Sequence, residues 1–519
     1  MLGKKIAMGH YGIGGKDGVN TVMSRNIKAI FKDLEKDVHI TLFGAADPLI
    51  GDFIKRSGGE KRLDYVDIPE FAAGYNDRRI NDQDPIDYMY EGEKIADKLA
   101  AALEGYDLIM MENTTVGNHP AVSYAFYVYT RWCMNHEPTK RFIFRTHDFM
   151  QDRPTNFSNV KKFRPRRSRF VPDWHQIFYP TLPNIYYMAI STTGMRELFS
   201  HGIDGDTIYY LPNSIDDNLM VPDEKYKGLR DAVNQRFGLD DATKIIYYPV
   251  RCVPRKNVEE AILLTVLANR IARKDTQLYK KDVVSGDYHL IVSLDNHSPK
   301  TGIYAEKIKE FVKANNLPVT IGFGDLLNLE RGFDDDGKMK NWGIADAYAI
   351  SEIVVTTSIL EGFGFVYIEP WMVDCLVIGR NLPMVTNDFT KLGGLELGHL
   401  YNVLMADGVD FRELGREPDL LNTSFNDLDL DSMKAKFDFI ERLHDDDDVY
   451  NDFIEHNRFQ LNATFTVLEA ETERKVIDCN RDAVETNYSR ESVAQRLYEI
   501  MLEVLTRDNG DSTATMKRK

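Results

Sequence analysis

Short apolar runs alternate with longer amphipathic segments along most of this 519-residue chain, and the alternation occurs twice. Alternation of this kind builds strand–helix–strand units, whose parallel sheet needs helices on its faces. In the first half, Lys5–Met8 reads as a strand entering a glycine-rich turn, Gly9–Gly18, and Val19–Leu34 as the helix that follows. Val38–Phe43, Leu63–Ile68, Leu108–Met111, Phe142–Arg145, Tyr186–Ser191 and Thr207–Leu211 read as strands, and Tyr90–Leu103 as a helix. A turn-rich stretch, Pro212–Asp216, and a polar segment reaching Asp240 separate this half from the next. There, strands are expected at Lys244–Val250, Tyr288–Ser293, Val319–Phe323, Ile353–Thr357, Leu376–Gly379 and Val403–Met405. Helices are expected at Val258–Ala272, Ile303–Asn315 and Ile344–Ala349, and another opening near Phe365. From about Leu428 to Leu505 the chain reads as helical, and the acidic run Asp445–Asp448 as a solvated loop between helices. Asn509–Lys519 reads as a frayed polar terminus.

Charge and cysteine usage narrow the class. A formal charge of −17 argues against a nucleic-acid binder, which carries a basic surface. Cys133, Cys252, Cys375 and Cys479 are far apart and form no CxxC pair, which fits a reduced, cytoplasmic protein better than a zinc or redox motif. The opening Met1–Lys5 precedes only three apolar residues, too few for a signal peptide, and no stretch reaches the ~18 apolar residues of a membrane span. Peripheral membrane contact is compatible with all of this.

Four places could carry chemistry. In Ser358–Glu369, two carboxylates, Glu361 and Glu369, flank Gly362-Phe363-Gly364 where a strand gives way to a helix. Ligands of open α/β sheets bind beyond the carboxyl ends of strands. Glycines let a ligand approach the backbone, free N–H groups near Phe365 and Val366 suit a diphosphate, and carboxylates accept strong hydrogen bonds from sugar hydroxyls. The bland reading of two such glutamates is a cap and a surface residue. The second place is Arg251-Cys252-Val253-Pro254-Arg255-Lys256, at the equivalent junction of an earlier strand. Cations beside a helix start are not explained by the helix dipole, but they fit an anion held between Arg251 and Lys256; otherwise they are solvated loop charges. The third is the glycine-rich turn with Gly15 and Gly18, which lacks GxGxxG and P-loop spacing and is weak alone. The fourth is His147, just after a strand, where a lone histidine is more often structural. A basic segment, Lys161–Arg169, carries six cations; a solvated loop is its bland reading, and a site for an anionic acceptor or an anionic membrane the sharper one.

Together these residues resemble the retaining glycosyltransferases of family 4. Ser358–Glu369 matches the family's serine, EGFG and second glutamate; Arg251 and Lys256 match its phosphate-binding Arg and Lys. Pro212-Asn213-Ser214-Ile215-Asp216 is similar to the family's Pro-Asn-Gly-Val-Asp, with Ser214 in place of glycine, and Ser191–Gly202 to the preceding helix. The resemblance implies a GT-B fold: two Rossmann-like domains facing across a cleft, with a helical C-terminal extension. Residues 1–215 would form the acceptor domain, joined by a returning helix at about 490–506, and residues 216–489 the donor domain. By carry-over, Arg251 and Lys256 hold the diphosphate, and Glu361 with the Gly362–Gly364 backbone, Phe363 included, holds the donor sugar. Phe365 and Val366 N–H groups assist the phosphate, Glu369 binds the ribose, and His147 lies near the donor sugar. Gly15 and Gly18 sit on the acceptor side. Leu294-Asp295-Asn296-His297 and Gly379–Pro383 depart from the family's pattern, and Leu428–Cys479 has no assigned role.

The activity implied is transfer of a sugar, with retention, from a nucleoside diphosphate sugar to an acceptor hydroxyl, with a small anionic acceptor favoured. No prosthetic group and no metal are expected, since no Asp-x-Asp motif is prominent. A GT-B phosphorylase or epimerase and a non-catalytic nucleotide-sugar-binding protein are the rival readings.

Overall fold

A computed structural model of the chain describes residues 3–15, 17–34, 37–58, 62–72, 85–152, 154–161, 172–215, 219, 228–273, 286–295, 302–328, 331–334, 336, 338–412 and 429–507. Lys16, Asp216, Asn296, His297, the basic segment apart from Lys161, and Asn509–Lys519 lie outside the described residues. The chain divides into two compact units, Met1–Ser214 with Tyr488–Lys519, and Ile215–Asn487.

The first unit holds a seven-stranded parallel sheet: β1 (Ile6–Ile13), β2 (Ile40–Ala46), β3 (Leu63–Asp67), β4 (Leu108–Glu112), β5 (Arg141–Thr146), β6 (Ile185–Ala189) and β7 (Ile208–Tyr210). Their order is β3-β2-β1-β4-β5-β6-β7, so the winding reverses between β1 and β4. Successive residues of each strand feed opposite faces. Ile6, Met8, Leu42, Leu108, Met110 and Met188 pack on one side. Ala7, Phe43, Ile109, Met111, Phe144 and Tyr187 pack on the other. Helices Pro85–Ala102 and Pro120–His136 cover the second face, and Gly18–Lys32 the first. The last helix, Arg490–Thr506, also covers the first face, through Val493, Ala494, Leu497, Ile500, Met501 and Val504, a stripe at helical spacing. Arg490 binds Asp33 through Nε at 2.7 Å and Nη2 at 2.9 Å, tying that helix to the end of Gly18–Lys32.

The second unit holds β8 (Lys244–Arg251), β9 (Tyr288–Leu294), β10 (Val319–Ile321), β13 (Ile353–Thr356) and β14 (Leu376–Gly379), parallel and ordered β10-β9-β8-β13-β14. A two-stranded antiparallel ribbon, β11 (Gly332–Phe333) with β12 (Met339–Asn341), lies between β10 and β13 in the chain. The helix Val258–Arg273 is buried on nearly every side, which a helix resting on a sheet alone cannot achieve. Helix Leu430–Asp445 supplies the outer cover: Arg270 donates to the Leu443 (2.5 Å), His444 (3.2 Å) and Asp446 (3.0 Å) carbonyls at its end. Part of the segment without an assigned role is therefore a roof over this helix.

Some expectations need correction. Gly9–Gly18 is not all turn, because β1 runs on to Ile13 through a register shift between Gly9 and Gly12. Gly9 packs rather than turns: a Cβ there would meet the Phe43 ring at 2.2 Å. Val403–Met405 is no strand, since the Met405 N–H and carbonyl are bonded to the Asn457 side chain at 2.6 and 2.8 Å instead of to a neighbouring strand. The segment up to Asp240 contains a helix, Leu229–Phe237. The acidic run is a helix junction more than a loop: Asp446 accepts from the Asp448 and Val449 N–H groups, and Asp447 pairs with Arg270.

His119, 1% exposed, donates from Nε2 to the Glu70 carbonyl (3.0 Å), and burial pushes its imidazole down from 6.5 to about 4. A folded value below the unfolded one means that the unfolded chain takes the proton first. The stability of neutral His119 is complete above pH 6.5 and is lost as pH falls toward about 4. Urea unfolding between these pH values should show about 3 kcal/mol of pH-dependent loss that His119→Gln lacks.

Candidate functional site

In the second sheet, β8 and β13 are neighbours whose onward connections leave in opposite directions, to β9 and to β14. The loops beyond their carboxyl ends, residues 251–257 and 357–364, therefore lie at a topological switch point, where open α/β sheets bind ligands.

Tyr248, fully buried near the end of β8, stitches the two loops together. Its hydroxyl donates to the Lys256 carbonyl (2.6 Å), accepts from the Thr357 N–H (3.2 Å) and lies 3.0 Å from the Ser358 hydroxyl. Thr357 Oγ1 donates to the Asn257 carbonyl (2.8 Å), Ile359 N–H to the Arg255 carbonyl (2.9 Å), and Arg255 Nη1 to the Leu360 carbonyl (3.1 Å). Lys256 and Glu361 form an ion pair across the junction, and Ser358 Oγ donates to the same Glu361 oxygen at 2.6 Å. Burial would raise the Glu361 carboxyl, but Lys256 and Ser358 outweigh it and hold it below the usual carboxylate range. Burial pulls the Lys256 ammonium down, against the attraction of Glu361.

Sequence-predicted residues fall out as follows. Lys256, Glu361 and Gly362–Gly364 come together at this junction. Arg251 ends β8 with an exposed side chain that has no hydrogen-bond or ion-pair partner among the described residues. Gly364 has φ +90, and a Cβ there would meet Val385 Cγ1 at 2.6 Å, so only glycine fits. Phe363 packs edge-on against Phe365 (5.0 Å) and Phe389 (5.4 Å). The helix expected to open near Phe365 is instead two 3-10 turns, Phe365–Tyr367 and Glu369–Val373. Pro370 cannot donate to the Val366 carbonyl and would crowd it in an α-helix. Phe365 and Val366 thus open a three-residue turn, and Glu369 accepts from Tyr348 OH at 3.3 Å.

The two departures from the family pattern have structural uses. Asp295 pairs with Lys309 at 2.5 Å. Arg380, 4% exposed, pairs with buried Glu260, whose other oxygen accepts from Tyr401 OH at 2.7 Å.

The remaining candidates belong to the first unit. His147 Nε2 donates to Glu112 Oε2 at 2.7 Å, and the His147 and Asp148 N–H groups both donate to Asn113 Oδ1 (3.1 and 3.0 Å). Burial would raise Glu112, but Arg145, 3.9 Å away, and His147 keep it below the ordinary range. His10, buried beside them, is pushed down by burial. Gly15 borders Asp17 and Asn20, and Gly18 begins a helix with open space around it. The turn itself depends on Gly14, at φ +103 with Ile50 backbone 2.7 Å from a would-be Cβ. Arg145 Nη2 holds Asn213 Oδ1 (3.1 Å) and the Pro212 carbonyl (3.4 Å), and Arg25 holds the Ser214 carbonyl (3.0 Å). Lys161 lies over the Phe157 ring at 4.1 Å.

Tyr248, Asn257, Glu260 and Glu112 were missed. A tyrosine inside an apolar strand reads as core, although its place near the carboxyl end of β8 was a signal. Glu112, the single charge ending Leu-Ile-Met-Met-Glu, was another. All four cysteines are free thiols. Among the described residues no group of three His, Cys, Asp or Glu could hold a metal ion, and no helix is long and apolar enough to cross a membrane.

No protein-family model matches the chain. It is 26% identical over 392 residues to mannosylglucosyl-3-phosphoglycerate synthase of Petrotoga mobilis, covering 73% of this chain and 65% of that protein, a little under two thirds of its length. It is 24% identical over 467 residues to mannosylglucosylglycerate synthase of Thermotoga maritima, covering 87% of this chain and 94% of that one. Among solved structures, a glycosyltransferase from Rickettsia africae matches with a TM-score of 0.55 at 16% identity, covering 98% of this chain and 100% of the other. Anabaena HepE in complex with UDP and glucose matches with a TM-score of 0.53 at 13% identity, covering 96% and 100%. The fold is GT-B.

Breaking the buried pair from one side should show what holds the junction. Arg380→Met leaves Glu260 buried and uncompensated, and a loss of about 3–5 kcal/mol is expected in urea unfolding. Adding Glu260→Gln should recover most of it.

Proposed function

We propose that this protein is a glycosyltransferase that moves a hexosyl unit, with retention, from a nucleoside diphosphate sugar to a hydroxyl of a small anionic acceptor of the glycosylglycerate class. The observation that carries the reading is the junction of Lys256, Glu361 and Ser358, together with Arg251 at the end of β8, whose side chain has no partner among the described residues. A cation and a carboxylate meet there at a switch point, with Arg251 at the end of the strand that leads into the same loop, and such groups suit recognition of a sugar diphosphate. The names of the relatives join mannosyl, glucosyl and glycerate units, with a phosphate in one case. The outermost unit is the mannosyl, which we read as the unit transferred. HepE, which shares the fold, was solved with UDP and glucose.

In the reaction the bond from the sugar C1 to the diphosphate oxygen breaks, and a bond from C1 to the acceptor oxygen forms. The acceptor's proton leaves with the departing diphosphate. Negative charge grows on that leaving oxygen, so Arg251 and Lys256 act more on the transition state than on the bound donor. Glu361, kept ionised by Lys256 and Ser358, accepts hydrogen bonds from the donor sugar's hydroxyls. The N–H groups of Phe365 and Val366 complete the phosphate contacts, Glu369 takes the ribose, and the first unit, with Gly15, Gly18 and His147, serves the acceptor and the reacting sugar. Because protein cations supply the charge, turnover should be unchanged by a chelator.

Arg251→Ala and Glu361→Ala, assayed with UDP-, GDP- and ADP-sugars against glycerate, 3-phosphoglycerate and glucosylglycerate, should each lose about 10²–10³ in kcat/KM. Parent-level turnover in both variants would remove these residues from the reaction. Turnover that requires inorganic phosphate would favour a phosphorylase.

A further inference from the structure

Lys436 lies on the helix Leu430–Asp445, in the part of the chain to which no role had been attached. It is 3% exposed, and its ammonium donates to Asn257 Oδ1 at 3.1 Å. The Phe411 ring centroid is 5.9 Å away. A buried ammonium whose hydrogen-bond acceptor is a neutral amide is costly unless something else calls for the charge.

Asn257 is the residue after Lys256. It sits in the left-handed region at φ +49, closing the turn Pro254–Lys256. Its amide is fixed from both ends: Lys436 donates to the oxygen, and the nitrogen donates to Glu260 and to the Thr357 carbonyl (3.4 Å). Lys256 thus leaves a turn whose last residue is clamped by the roof helix. The hydrogen-bonded network under the two loops contains Lys256 with Glu361, Glu260 with Arg380, and Lys436. Asp410, which also faces Arg380, is bonded to Arg412 at 2.9 Å. Among the described buried side chains of that network three cations stand against two carboxylates, and the surplus charge is that of Lys436; Glu259, also buried, accepts from Tyr304 OH outside it.

We propose that Lys436 is a positioning residue for the donor diphosphate: it sets the Lys256 turn through Asn257 and leaves the buried network one positive charge in excess, to be balanced by the bound diphosphate. The inference rests on the nucleotide-sugar reading above. It assigns to the helical segment a part in donor binding as well as in covering the core.

The test is calorimetric titration of the full-length protein with UDP, GDP and ADP, together with donor and acceptor KM. Lys436→Gln keeps an N–H for Asn257 and removes the charge. It should weaken the nucleotide that the parent binds by about tenfold and raise the donor KM similarly, with the acceptor KM unchanged. Lys436→Arg should stay within about twofold of the parent. Phe437→Leu, on the same helix as Lys436, removes the ring stacked 4.0 Å from Phe311 of the helix Gly302–Ala314, and should lower the Tm without changing nucleotide affinity. If Lys436→Gln does not fold, Lys436→Met is judged by the same criterion. A folded charge-removed variant that binds as tightly as the parent overturns the role of Lys436 and leaves the nucleotide-sugar reading standing. A parent that binds none of the three nucleotides overturns both.

Discussion

The ion pair between Lys256 and Glu361 bridges the ends of two adjacent strands, and the polar interior of the second unit is arranged around it. Neither partner tolerates being buried alone: an unpaired ammonium or carboxylate at this depth costs several kcal/mol. Each therefore holds the other's loop in place, with Tyr248, Ser358 and Thr357 satisfying the polar groups left between them. Behind it, Glu260 and Arg380 repeat the same device, and Tyr401 completes their hydrogen bonding. Such pairs contribute more to geometry than to net stability. They suit a site that must present charge in a fixed place before its ligand arrives.

The two units solve one packing problem in two ways. In the first, helices on both faces suffice, and the chain's last helix completes the cover. In the second, Val258–Arg273 is too apolar to leave one side in water, so a second layer of helix is added. That layer comes from the segment where the strand pattern had stopped, and it brings Lys436 against Asn257 in the loop that follows β8. One segment thus does two jobs, and the stability of the site cannot be separated from the packing of the roof.

Much of the strand framework was legible because parallel strands buried on both faces read as unbroken apolar runs, as Leu108–Met111 and Ile353–Thr356 do. The errors have local causes. Gly9 looked like a turn residue, yet it is glycine because an aromatic ring of the next strand occupies its missing side chain. Val403–Met405 had strand composition, but its backbone groups were claimed by Asn457, 52 residues further on. The helix expected after Gly364 ignored Pro370. Around the candidate site, Arg251, Lys256 and Glu361 were visible as charges at strand ends. Tyr248, Asn257 and Lys436 were not, because their chemistry lies in long-range hydrogen bonds that no local pattern announces.

The helix Arg490–Thr506 has a consequence for how this chain is made. It belongs to the first unit but is separated from the rest of it by about 270 residues of the second. At ~5–20 residues per second, a ribosome needs on the order of ten seconds to a minute to cross that stretch. Throughout that time the sheet face formed by Ile6, Met8, Leu42 and Met110 lacks its last cover, and Asp33 lacks Arg490. The two units cannot finish in the order in which they begin: the one that starts first closes last.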